Sequence, residues 1–220
     1  MPALVAEFIG TFALVFIGAG SIITSQGSGL GLLGIALAHG LTIAVMVSSL
    51  GHVSGGHFNP AVSAAFAATG KMPSLTALQY VVAQVAGGFL AALILQQVMP
   101  ADFVAATNLG TPSLGEGVAA WKGVVLEAVM SFFLVIAVFG SAVDSRAARV
   151  GGLFIGLTVA LDIMMGGPVT GAAMNPARHL STALASGFLR DWWVYWVGPV
   201  LGGVAAGLVY VMVFAERTRN

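Results

Sequence analysis

Apolar runs separated by short polar breaks divide this chain into six long segments and two short ones. Leu30–Leu50, Leu75–Met99 and Trp192–Phe214 carry no charged residue at all. Each reaches the roughly 20 residues that a helix needs to cross a bilayer. Pro2–Thr24, Gly123–Val143 and Val150–Gly166 complete the set of predicted spans. The short segments, Asn59–Thr69 and Asn175–Ser186, both open on Asn-Pro-Ala. Asn is a favoured helix N-cap, and Pro suits the first helical position because its missing N–H has no partner there. Each short segment therefore predicts a half-length helix that enters the membrane without crossing it. The expected fold is an all-α membrane protein with six transmembrane helices and two re-entrant half helices.

Composition strengthens this reading. Of the 220 residues, 58% are hydrophobic and 7% charged, whereas a soluble domain carries roughly 25% charged residues. Net charge is zero and no basic run occurs, so nucleic acid is not an expected partner. The absence of cysteine excludes disulfides and thiolate metal sites. His39, His52, His57 and His179 form no i, i+4 pair and no His-Glu-x-x-His. Neither a metal nor another cofactor is implied. The first apolar segment keeps Glu7 within it and reads as a span rather than a cleavable leader.

The chain repeats itself. Glu7-Phe-Ile-Gly-Thr-Phe-Ala-Leu-Val corresponds to Glu127-Ala-Val-Met-Ser-Phe-Phe-Leu-Val, and Gly87-Gly88 to Gly202-Gly203. We therefore expect one transmembrane channel domain over residues 1–220, with repeats at about 2–99 and 122–214. Three full spans per repeat put the two copies in opposite orientations, so the half-helix N-termini face each other near the membrane midplane. Lys71, Arg146, Arg149, Arg217 and Arg219 fall on one side and Lys122 and Arg190 on the other. The excess of positive charge places both termini in the cytoplasm. Small residues four apart, at Ala36/Gly40, Gly152/Gly156 and Gly203/Gly207, predict close helix crossings.

At each Asn-Pro-Ala the Asn oxygen can accept from N–H groups of the first helical turn, which aims the amide N–H donors away from the helix. Two such donors, backed by two positive helix ends, welcome a neutral molecule with a lone pair and oppose a cation. Arg178, directly after the second motif, is expensive inside an apolar segment and by default functional. Its expected role is to offer donors to a passing oxygen and repel cations. Glu7 and Glu127 are expected to brace the irregular backbone entering each half helix, since buried carboxylates need partners. Asp162 has no repeat counterpart, and is read as capping backbone or pairing with a basic group. A proton-coupled transporter using Glu7, Glu127, Asp162 and His39, and a non-conducting scaffold, are the competing classes. The paired donors and Arg178 argue for a passive channel that excludes protons and ions.

Glu7-x-x-Gly-Thr-Phe, Ser54-Gly-Gly-His-Phe-Asn-Pro-Ala-Val, Thr170-Gly-Ala-Ala-Met-Asn-Pro-Ala-Arg and Trp193-Val-Tyr-Trp-Val-Gly-Pro resemble the aquaporin, or major intrinsic protein, family. The resemblance covers nearly the whole chain. It implies an hourglass fold, a pore in every protomer, a homotetramer in lipid, and transport rather than enzymatic activity. It also implies pore motifs at Asn59, Pro60, Ala61, Asn175, Pro176 and Ala177. The selectivity filter it implies is His39, Ile163, Ala172 and Arg178. That combination departs from water-only and glycerol-conducting filters, and is similar to those of some plant tonoplast intrinsic proteins. Expected permeants are water and small uncharged solutes such as ammonia, with a glycerol or urea facilitator as the alternative. Ala183, Tyr195 and Trp196 resemble the water-conducting side, whereas His179 stands where the family usually has Ser or Asp. His57 is expected to buttress the loop entering the first half helix, and His52 to lie on the cytoplasmic approach. The short chain suggests a bacterial inner membrane.

Overall fold

The computed structural model describes residues 1–147 and 150–215; Arg149, Arg217 and Arg219, used above for orientation, lie outside the described residues. The helices are α1 (Pro2–Ser28), α2 (Gly31–Ser54), α3 (Pro60–Ala68), α4 (Ser74–Val98), α5 (Ala101–Ala106), α6 (Ala120–Val138), α7 (Gly151–Thr170), α8 (Pro176–Ser186) and α9 (Val194–Val209). Among the described residues, six helical stretches are long and apolar enough to cross a membrane: α1, α2, α4, α6 with its continuation to Val143, α7, and α9 with its continuation to Phe214. Each continuation is a wider π turn, closed by Asp144 N–H on the Phe139 carbonyl and by Ala215 N–H on the Tyr210 carbonyl, both at 2.9 Å. The protein is an integral multi-pass membrane protein of the expected all-helical fold.

Two differences from the sequence reading have physical causes. The fifth span continues four residues beyond Gly166, through Pro168 to Thr170. Pro lacks an N–H but sits in the last turn, and the helix ends only where Gly171 turns left-handed with φ 78°, its N–H on the Gly167 carbonyl. The six-residue α5, in the connection between α4 and α6, was not expected, being too short to show an apolar period.

The usual distribution of residue types is inverted. Leu33, Val82, Leu161 and Met212 face outward, about 60% exposed, while Glu7, Gln84, Glu127 and His179 are fully buried. Inside, small residues let backbones touch. A Cβ on Gly40 would strike the Gly156 carbonyl and one on Gly156 would strike the Gly40 carbonyl, which fixes the α2–α7 crossing. Gly87 meets the Phe8 carbonyl as Gly202 meets that of Ala128, so α4 lies on α1 as α9 lies on α6. The half helices fill the remaining space, α3 against α9 and α4, α8 against α4.

Candidate functional site: the central passage

The two Asn-Pro-Ala segments meet at the centre of the bundle. Asn59 is extended (φ −157°) and caps α3, its Oδ1 accepting from Ala61 N at 2.8 Å. Asn175 caps α8, accepting from Ala177 N at 3.0 Å and Arg178 N at 3.1 Å. The amides then cross over. Asn59 Nδ2 donates to the Met174 carbonyl, and Asn175 Nδ2 donates to the Phe58 carbonyl, both at 2.8 Å. Phe58 and Met174 hold positive φ (49° and 50°), which aims those carbonyls at the opposite motif. Each amide thus commits one N–H to the facing loop and keeps one for the passage. The sequence reading had left both available.

Behind each loop sits a buried carboxylate. Glu7 Oε1 accepts from Ser54 Oγ (2.7 Å) and His57 N (3.0 Å), and its Oε2 accepts from Phe58 N and Gln84 Nε2, both at 2.7 Å. Glu127 Oε1 accepts from Thr170 Oγ1 (2.7 Å) and Ala173 N (3.0 Å), and its Oε2 from Met174 N at 2.7 Å. Tyr80 OH donates to the Ser54 carbonyl at 2.8 Å, and Tyr195 OH to that of Thr170 at 2.9 Å. Tyr80, Tyr195, Ser54 and Thr170 had not been assigned these roles. The register of each Tyr with the following Gly-Gly pair is the signal that could have found them.

The halves differ in what packs beside the loop and its carboxylate. In the first, His57 Nδ1 and Ser63 Oγ are 3.0 Å apart, Gln84 Nε2 donates to Ser63 Oγ at 3.2 Å, and His57 packs on Phe66 and Tyr80. The corresponding residues of the second half are Ala173, His179 and Pro199. The imidazole there comes from α8 instead of the loop. It stacks on Tyr195 at 4.0 Å, and neither ring nitrogen has a hydrogen-bond partner among the described residues.

One narrow cavity runs past both motifs. Its lining combines apolar Ile43, Val47, Leu134, Val138, Ile155 and Val159 with polar His57, Asn59, Asn175 and Arg178. His39, Ile163 and Ala172 also line it, so the structure brings the four expected filter residues to one passage. The space open to water centres is about 40 Å³, room for roughly three waters at 10–15 Å³ each.

Arg178 is 3% exposed and held from two sides. Nη1 donates to the Gly110 carbonyl at 2.9 Å, and Nη2 lies 3.2 Å from His39 Nε2. His39 Nδ1 is 2.9 Å from the Ile35 carbonyl, which only accepts, so that nitrogen carries the proton. Nε2 is then a lone pair that accepts from Arg178. His39 is therefore an acceptor engaged by the guanidinium. Gly110, from the connection between α5 and α6, is a contributor the sequence did not reveal, because a backbone carbonyl leaves no side-chain signal.

Asp162 is buried on α7, and its Oδ2 has no hydrogen-bond partner; neither expected contact, a backbone cap or a basic partner, forms among the described residues. His52 lies in the wide mouth between the ends of α2, α6 and α7. No cluster of three or more His, Cys, Asp or Glu side chains able to hold a metal occurs among the described residues.

Six membrane-length helices and two half helices meeting on a narrow, mostly apolar passage that carries both Asn amides and Arg178 define a membrane channel. The comparisons specify which kind. The chain belongs to the major intrinsic protein family, whose model matches residues 1–210. It is 47% identical to aquaporin TIP4-4 of Zea mays, the match covering 98% of this chain and 87% of that protein. It is 40% identical to Nodulin-26 of Glycine max, over 97% and 78%. In structure it resembles the aquaglyceroporin from Plasmodium falciparum, with TM-score 0.88 over 97% of this chain and 96% of that one. At 22% identity this last likeness speaks for the fold alone. The family is one of channels, not enzymes. The relatives named from curated sequences are plant proteins, so the expectation of a bacterial inner membrane finds no support in them.

Proposed function

We propose that the protein is a passive water channel that also passes small neutral solutes such as ammonia while excluding protons and ions. The observation that carries this reading is the crossed pair of Asn amides facing an apolar wall. A water reaching the centre meets one free N–H from each amide and no acceptor from the opposite wall. Its oxygen turns to the donors, and two facing positive helix ends oppose any excess proton. Arg178 adds a second barrier to cations. The filter His39, Ile163, Ala172 and Arg178 supports passage of more than water, because Ile163 and Ala172 present apolar and small walls beside the donors of Arg178. The whole chain acts as one channel unit, with repeats at about 2–99 and 122–214, both termini cytoplasmic, and a homotetramer as the working assembly.

Stopped-flow measurements on proteoliposomes, with water, ammonia, urea and glycerol run side by side, test the reading. Water and ammonia fluxes well above empty liposomes are expected, with no matching internal pH change under a proton gradient. Water flux at the empty-liposome level, or a proton leak as fast as water entry, overturns it. Arg178→Val is expected to weaken the proton barrier and preserve water flow.

A further inference from the structure

A second pocket, of about 160 Å³, shares no lining residue with the passage and lies where the α3–α4 connection, the α6–α7 connection and the end of α9 come together. Its floor is apolar, formed by Phe139, Val143 and Val211, and its rim is polar, formed by Lys71, Ser145 and Arg146. Asp144, the carboxylate that lines it among the described residues, is fully committed. Its Oδ1 accepts from Arg146 N (3.0 Å) and Nε (2.8 Å), and its Oδ2 from Arg146 Nη2 and from Tyr210 OH (2.9 Å). Arg146 Nη2 also donates to the Phe214 carbonyl at 2.7 Å, tying the connection to the end of α9. Lys71, exposed on the rim, makes no ion pair among the described residues. Among the described residues, two cations and one engaged carboxylate leave the rim with a net positive charge.

We propose that this pocket binds the phosphate headgroup of an anionic phospholipid. Lys71 supplies the charge, and the Ser145 hydroxyl, which makes no hydrogen bond among the described residues, supplies a directed donor. Asp144 does not repel the phosphate, because Arg146 and Tyr210 neutralise and occupy both its oxygens. A lipid fits better than a free phosphate because of position. Beside the pocket, the last turn of α9 turns Met212, Val213 and Phe214 outward, each more than half exposed, and that surface can take the acyl chains while the rim holds the headgroup. Basic pockets between transmembrane helices at the membrane surface hold headgroups in this way.

The test uses the full chain in phosphatidylcholine nanodiscs with increasing phosphatidic acid, bound lipid being counted by native mass spectrometry. Saturable retention of one phosphatidic acid per chain is expected. Lys71→Gln should weaken it about fivefold, the worth of one interfacial lysine, and Ser145→Ala to a smaller degree. Lys122→Gln, on the opposite face, should leave it unchanged, and all three variants should conduct water like the parent. Retention that ignores Lys71→Gln and Ser145→Ala overturns the proposal. So does displacement of the lipid by millimolar inorganic phosphate, which would mark a free-anion site.

Discussion

At the scale of single residues, the passage depends on how donors are shared out. Each pore Asn has one amide proton tied to the facing loop, and Arg178 has one proton on Gly110 and one on His39. What remains for a solute is a small, fixed number of N–H groups set against an apolar wall. Ile163 belongs to that wall. Ile163→His should depress ammonia and urea flux well beyond any loss of water flux, by narrowing the site and raising the demand for matched hydrogen bonds. A net hydrogen bond is worth about 1 kcal/mol, and tenfold in rate needs only about 1.4 kcal/mol, so the change is measurable by stopped flow. Equal losses of water and solute would remove Ile163 from the filter. Glu127→Gln tests the brace. Each group hydrogen-bonded to that carboxylate is a donor, so the new amide NH2 must face an N–H or O–H. Buried groups left unpaired cost roughly 1–3 kcal/mol each. A lower melting temperature is expected, and a parent-like melt with altered solute preference would sink the brace reading.

Among the elements, the crossings are set by backbone contact more than by side-chain volume. Gly156→Leu drives a side chain into the Gly40 carbonyl, and overpacking of this kind costs about 1–3 kcal/mol or more. We predict a reduced yield of folded protein by size-exclusion chromatography, whereas Leu161→Ala on the lipid face should be neutral. If both behave like the parent, the α2–α7 seam is not fixed by these glycines. The elements were largely legible in the sequence because apolar length and Asn-Pro caps are local signals. The six spans and both half helices fall within a few residues of their expected bounds. α5 and the last turn of α7 were not legible, since the first is too short to show a period and the second runs through a proline. Within the site, side chains announced themselves by type and spacing. The Gly110 carbonyl, the tautomer of His39 and the unpartnered nitrogens of His179 did not, because each depends on what tertiary packing brings within reach.

For the whole molecule, the even number of crossings puts Met1 and Ala215 on one side of the membrane, together with Lys71 and Asp144. Glu116 lies on the other. The chain has no cysteine, so an introduced one reports without background. A membrane-impermeant maleimide should label Lys71→Cys from the side that carries the termini, and Glu116→Cys only from the opposite side. Labelling of both from the same side would break the inverted arrangement. At the α6–α7 connection, Arg146 holds the Asp144 carboxyl well below the usual carboxylate range, and Tyr210 assists. That depressed value means the contact is intact above the ordinary Asp range and is lost as acid protonates Asp144.

The crossed amides also bear on how the protein is made. Asn59 finds its acceptor 115 residues further along the chain, and Asn175 finds its own 117 residues back. A ribosome that has delivered only the first three spans has therefore supplied a membrane segment whose Asn59 lacks its carbonyl and whose passage has one wall. The bore is completed only when α8 enters beside α3. A nascent chain halted before that point is expected to carry no water.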